Sequence, residues 1–118
     1  MIDTRLKYPC SGCGYLVFAK PPGSLTICPV CEWEDDALQL EFATTLAAGA
    51  NALTLFEAQR SGAPADSRFE REPAWRAIDM AVDEFEDCHE PDARRAPVED
   101  TMRLYYWRST FWRHRSDA

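Results

Sequence analysis

Hydrophobic and polar positions change rhythm along the chain, and each rhythm predicts an element. Tyr15-Leu16-Val17-Phe18 is a run of strand formers. It is closed by Pro21-Pro22-Gly23, a turn signal in which proline pre-sets φ and glycine tolerates φ > 0. Ser24-Leu25-Thr26-Ile27 is expected to return as the second strand of a hairpin. Residues Ala37 to Phe42 alternate enough to predict a further strand or extended segment. Residues 43–52, with Gly49 and Asn51, read as a loop. Thr54-Leu55-Phe56-Glu57 matches a capping box, which predicts a short helix over 54–61 that closes near Gly62.

Residues 62–72 form a polar linker with turn chemistry. Pro73 then suits a first helical turn, and Trp75, Ile78, Val82 and Phe85 recur at i, i+3, i+7 and i+10. That spacing predicts an amphipathic helix to about Cys88, with Asp79, Asp83, Glu84, Glu86 and Asp87 on its wet side. The acids crowd its C-terminal half, where the helix dipole disfavours them. Residues 90–100 read as a loop. In the aromatic tail, Leu104, Trp107 and Phe111 fit a helical face, yet Tyr105-Tyr106-Trp107 also suits a strand, and periodicity leaves both open.

Cysteine spacing changes the picture more than any other feature. Two C-x-x-C pairs, Cys10/Cys13 and Cys28/Cys31, flank the expected hairpin, and Cys88 stands alone. A tetrahedral metal takes four thiolates, and two tight turns that face one another can supply them. Gly12 and Gly14 at the first turn and Pro29 at the second suit backbones that must aim N–H groups at sulfur. An odd number of cysteines does not fit a fully paired disulfide framework, and no βαβ unit supports thioredoxin-like chemistry. The pattern therefore favours zinc on Cys10, Cys13, Cys28 and Cys31. Cys88 and His89 are neighbours with no further cysteine to help, so a small buried thiol beside an exposed imidazole is expected there.

Charge divides the chain into three blocks. The net charge of −7 is made of +2 over residues 1–31, −12 over 32–100 and +3 over 101–118. Such a balance repels a phosphate backbone over most of the surface and suits a basic protein partner. Glu32, Glu34, Asp35 and Asp36 surround Trp33. They lack the alternating ligand spacing of a calcium loop, so they are expected to face water while Trp33 covers the core. Interleaved Arg103, Arg108, Arg113 and Arg115 could stack with nucleobases; pairing with the acidic middle is the favoured expectation. The opening residues hold no apolar core of signal-peptide length and no stretch approaches a membrane span. A cytoplasmic protein with reduced thiols is expected.

Three stretches carry a family resemblance: Tyr8-Pro9-Cys10 with Cys13-Gly14-Tyr15-Leu16; Pro21-Pro22-Gly23-Ser24 with Cys28-Pro29-Val30-Cys31 and Trp33-Glu34-Asp35-Asp36; and Gly49-Ala50-Asn51 with Thr54-Leu55 and Glu57-Ala58-Gln59-Arg60. Over residues 8–60 the chain resembles the cysteine-rich CPCC family of small bacterial proteins. The resemblance implies a zinc-binding, ribbon-like fold of unknown biochemical role, with Cys10, Cys13, Cys28 and Cys31 as ligands. Ser11 and Gly12 replace the middle Pro and Cys of the family's first motif, so that extra cysteine is not needed for four thiolates here. The knuckles also look like the small rubredoxin-like domains of rubrerythrins, and iron tetrathiolates use the same ligands.

Together these readings predict a small α+β fold, an N-terminal zinc-ribbon β-hairpin packed with two or three C-terminal helices. Residues 1–61 form the expected CPCC-type domain and 62–118 a helical, aromatic extension packed on it. The expected function is non-catalytic zinc binding with protein–protein interaction through an acidic surface, in one version an immunity or antitoxin-like protein that occludes a basic toxin. A nucleic-acid-binding ribbon and a rubredoxin-like electron carrier are the alternatives. An enzyme is not expected, because four thiolates leave a metal no open position and His89 and His114 find no nucleophile.

Overall fold

The computed structural model describes residues 5–90 and 100–113. Regular elements are short. Strands β1 (Tyr8–Pro9) and β2 (Leu16–Phe18) pair antiparallel, with Tyr8 opposite Phe18 and Pro9 opposite Leu16 across a bulge. Helix α1 spans Ala37–Glu41 and helix α2 spans Leu55–Arg60, and a 3₁₀ turn covers Thr101–Leu104. One core joins Cys10, Tyr15, Phe18, Leu40 and Leu55 to Ile78, Leu104, Tyr105, Tyr106 and Phe111, so both halves of the chain bury apolar surface together.

Local chemistry explains which expectations hold. The capping box forms as read: Thr54 Oγ1 accepts the Glu57 N–H at 3.1 Å, and Glu57 Oε1 accepts the Thr54 N–H at 3.1 Å. Strand pairing differs from the expected hairpin. β2 pairs back onto β1, while Ile27 bridges Glu34, so each knuckle closes its own small loop. Residues 37–41 are helical rather than extended, because Asp36 acts as N-cap: its Oδ1 accepts the N–H groups of Leu38 at 2.9 Å and Gln39 at 3.4 Å. Leu40 is then buried and Leu38 exposed.

The amphipathic helix over 73–88 does not form. Polar side chains take backbone donors that a helix needs: Ile78 N–H goes to Gln59 Oε1 at 2.8 Å, Asp79 N–H to Asp83 Oδ2 at 2.8 Å, and Ala81 N–H to Asp79 Oδ1 at 2.9 Å. Val82 is left 55 % exposed, although the periodic pattern placed it on the buried face. The segment instead wraps as irregular chain. Within the described residues beyond 62, the 3₁₀ turn is the sole helical element. Residues 91–99, most of the expected 90–100 loop, lie outside the described residues, as do His114 and Arg115.

Candidate metal centre

The two knuckles repeat one backbone design. At the first, Cys10 N–H donates to Tyr15 O at 2.9 Å and Gly14 N–H to Cys10 O at 2.7 Å. At the second, Cys28 N–H donates to Trp33 O at 2.8 Å and Glu32 N–H to Cys28 O at 3.0 Å. In each, the N–H two residues on points at sulfur: Gly12 to Cys10 Sγ and Val30 to Cys28 Sγ, both at 3.4 Å. The residue after each C-x-x-C is left-handed, Gly14 at φ +82° and Glu32 at φ +67°. An aromatic follows in both, and Tyr15 and Trp33 are both buried.

This repeat brings four sulfurs together. Their Sγ atoms all lie within 4.8 Å of one another, with Cys10–Cys31 at 3.5 Å and Cys13–Cys28 at 3.7 Å across the knuckles. Sulfurs bound at about 2.3 Å to a tetrahedral centre stand about 3.8 Å apart, so the spacing fits one metal ion. Cys10, Cys13 and Cys28 are buried and Cys31 is half-buried. Burial pushes the Cys10 thiol well up, whereas the Cys10, Cys13 and Cys31 thiols aimed at Cys28 hold it far down. Thiolates crowded like this share their charge unevenly unless a cation balances all four.

Other parts of the chain close the first knuckle. Ser11 O accepts from Gln59 Nε2 at 2.9 Å and from the Trp75 indole N–H at 3.1 Å, and Cys13 O accepts from Arg71 Nε at 2.9 Å. The Arg71 guanidinium lies 4.7 Å from the Tyr15 ring centre and 5.2 Å from that of Trp75. Residues 70–72 also run beside β2: Leu16 N–H donates to Glu70 O at 2.7 Å and Glu72 N–H to Gly14 O at 2.9 Å. Tyr105 OH donates to Pro9 O at 3.1 Å. Gln59 is the junction, because it also meets Tyr106 OH at 2.9 Å and accepts the Ile78 N–H.

A different set of residues shapes the second knuckle. Buried Gln39 on α1 donates to the carbonyls of Leu46, Asn51 and Leu53 at 3.1, 3.0 and 3.1 Å and accepts the Asn51 N–H at 2.8 Å. Asn51 in turn uses its side chain as a strand mimic, accepting Glu34 N–H and donating to Glu34 O, both at 2.8 Å. The irregular loop after α1 is thereby fixed against the knuckle. Gln39 and Asn51 carry no metal chemistry; the Gly49-Ala50-Asn51 stretch of the resemblance points to Asn51, and no sequence signal points to Gln39.

The acids around Trp33 are not the solvated patch expected. Glu32 is exposed, but Asp35 is 4 % exposed and accepts Ser24 N–H at 3.2 Å and Ser24 OH at 2.7 Å. Burial raises the Asp35 carboxyl above its ordinary range, against the Ser24 hydrogen bonds that lower it. In the tail, Arg108 pairs with Glu72 and Arg113 with Glu84, the latter at 3.2 Å, as the favoured expectation had it. Ligand atoms of Asp87, Cys88 and His89 lie within 4.8 Å, with Cys88 half-buried and His89 exposed.

The family model for cysteine-rich CPCC proteins matches residues 8–66, half of the chain. The chain belongs to the cysteine-rich CPCC family. Among curated proteins nothing matches it. Residues 8–66 of this CPCC protein contain both knuckles, Asp36, Gln39, Asn51 and Gln59, the groups that build the sulfur cluster and its near supports. No described helix is long and apolar enough to cross a membrane.

Proposed function

We propose that this CPCC protein is a non-catalytic zinc-binding protein that acts by binding a protein partner through an acidic face. The observation that carries the reading is the set of four mutually close sulfurs delivered by two matched knuckles. Four thiolates saturate a tetrahedral ion and leave no position for water or substrate, which is the arrangement of a structural site. Iron can take the same donors, but an electron carrier serves a second redox site, and the sequence offers one Glu-x-x-His, Glu86 to His89, where a di-iron carboxylate site takes two. Zinc is the better fit.

The acidic face is narrower than the charge tally implies. Asp66 pairs with Arg68, Glu72 with Arg108, Asp83 with Arg76 and Glu84 with Arg113, and Asp35 is buried. Exposed acids include Glu32, Glu57, Glu70 and Asp79. Paired tail arginines weigh against a nucleic-acid role. A basic toxin, held in an immunity or antitoxin-like complex, is the version the acidity favours.

Native mass spectrometry of the purified protein is expected to find one zinc ion per chain. Pull-down from the host should recover a stoichiometric basic protein whose binding weakens with salt. A red preparation with thiolate-to-iron absorption would replace zinc by iron. Recovery of no stoichiometric partner at low salt would overturn the binding role.

A further inference from the structure

The matched knuckles differ in what covers them. At the first, the chain's own Trp75 lies over Gly14, so closely that a Cβ there would sit 2.6 Å from the indole. Trp75 and Arg71 also donate to two of its carbonyls, Ser11 O and Cys13 O. The corresponding carbonyls of the second knuckle belong to Pro29 and Cys31, and among the described residues nothing donates to them. Beside the second knuckle there is instead a groove of about 440 Å³, lined by Gly12 of the first knuckle and by Cys31, Glu32, Trp33, Asn51, Leu53 and Ala58 with their neighbours.

Three properties of the groove indicate what fits it. Its wall is preformed, because Gln39 and Asn51 lock the loop that carries Leu53. Leu53 is 45 % exposed on that wall. Its charge is negative: the exposed Glu32 carboxylate has no partner among the described residues, and with a divalent ion bound four thiolates including Cys31 would add a net −2. Glu32 also holds a left-handed backbone that its counterpart meets with glycine. A non-glycine residue is strained there, and its Cβ bars the close stacking seen at Gly14.

We propose that the second knuckle is the docking site for a partner protein's segment that presents an arginine or lysine beside a large apolar side chain. This rests on the partner-binding reading above and names the face it uses. The chain's own Arg71 and Trp75 cover the first knuckle with that chemistry. At the second, the basic group meets Glu32 and the Cys31 carbonyl, while the apolar group lies along Leu53 and Ala58. The chain's own Arg71 and Trp75 are engaged internally, so a separate protein is the occupant rather than a second copy.

The test is selection of a displayed random-peptide library on the zinc-loaded protein, followed by titration of the selected peptides into ¹⁵N-labelled protein. Enriched peptides should pair Arg or Lys with Trp, Phe or Leu and shift the amides of residues 31–33 and 50–53. Glu32→Lys and Leu53→Asp each should weaken them about tenfold. Both positions are exposed, and unchanged zinc content with an otherwise unchanged amide spectrum certifies the variants. Peptides that bind both variants as tightly as the parent, or no enrichment at all, overturn the proposal. So does a dimer of the protein that either variant abolishes. Peptides that map to another acidic face overturn this site but leave the partner-binding reading standing, whereas failure to recover a host partner removes that reading itself.

Discussion

The first knuckle is an interior feature and the second a surface one, although their backbones are built alike. In both, the cysteine carbonyl accepts from the residue four further on and the cysteine N–H donates to the residue five further on, and both close with a buried aromatic. Around the first, Gln59, Arg71, Trp75 and Tyr105 arrive from distant parts of the chain. Around the second, the supports come from the nearby loop through Gln39 and Asn51, and Cys31 stays half-buried. Local sequence thus shapes the ligand set, while long-range bonds decide which side faces inward. A repeated motif need not have repeated surroundings.

The largest expected effect removes what the two share. Cys10→Ser takes one sulfur from a buried site and should abolish stoichiometric zinc. The energy at stake is about 10–16 kcal/mol of apparent binding in comparable zinc peptides. Native mass spectrometry and far-ultraviolet circular dichroism should report an unfolded chain, as should strong chelation of the parent. A Cys10→Ser protein that retains the ion and the fold would break the comparison at its base.

Next come changes confined to the first knuckle. Gly14→Ala places a Cβ 2.6 Å from Trp75 on a backbone at φ +82°. It should cost about 3 kcal/mol, from overpacking and left-handed strain together. Gln59→Ala removes the acceptor of the Ile78 N–H and the donor to Ser11 O. Ser11 O keeps the Trp75 indole, but the Ile78 N–H loses its acceptor, which makes about 2 kcal/mol the expected loss. Denaturant melts of the zinc-loaded proteins measure both. If either variant matches the parent, the wrap of the C-terminal half does not hold the first knuckle.

Much of this was written in the sequence, and the division follows the range of the interactions. The C-x-x-C pairs and the Thr54–Glu57 box are local, so spacing alone located them. The Pro-Pro-Gly-Ser and Trp-Glu-Asp-Asp stretches stand out in the sequence, but their use lies in contacts that spacing does not show: Ser24 meets Asp35, and Asp36 caps α1. A wet patch is therefore the wrong place for Asp35, and the alternation over 37–42, which reads as a strand or extended segment, gives way to the cap that Asp36 supplies. The periodic pattern over 73–88 failed because Gln59, Asp79 and Asp83 intercept its amides, and the Gln59 bond spans 19 residues. Apolar spacing carries no record of such interception.

Asp35 gives a smaller, pH-dependent test on the side of the second knuckle. Its carboxyl is raised by burial in the folded protein. Its share of stability is therefore fully present below the unfolded value and is lost as pH rises through the folded one. Asp35→Asn keeps an acceptor for Ser24 while removing the buried charge. Relative to the parent it should gain at neutral pH, by about 1 kcal/mol or less, and the gain should shrink as pH falls toward the ordinary carboxylate range. Comparing the two proteins at each pH cancels the proton sensitivity of the shared zinc site. A difference that grows on acidification would reverse the sign and remove the burial argument.

The smallest effect bears most directly on the knuckle correspondence. Glu32 occupies the position that Gly14 fills at the first knuckle, at φ +67° against +82°. Leaving the left-handed region to a non-glycine residue costs about 1–2 kcal/mol, and glycine's extra unfolded freedom returns about 0.5–1 of that. Glu32→Gly should therefore stabilise the zinc-loaded protein by about 0.5–1 kcal/mol, measured in the same melts. Peptides selected on the groove should at the same time lose their salt-dependent component with the carboxylate gone. Gain of stability with loss of binding is what a strained residue kept for recognition produces. A stability loss instead would mean that Glu32 has structural work of its own and that the two knuckles are alike only in outline.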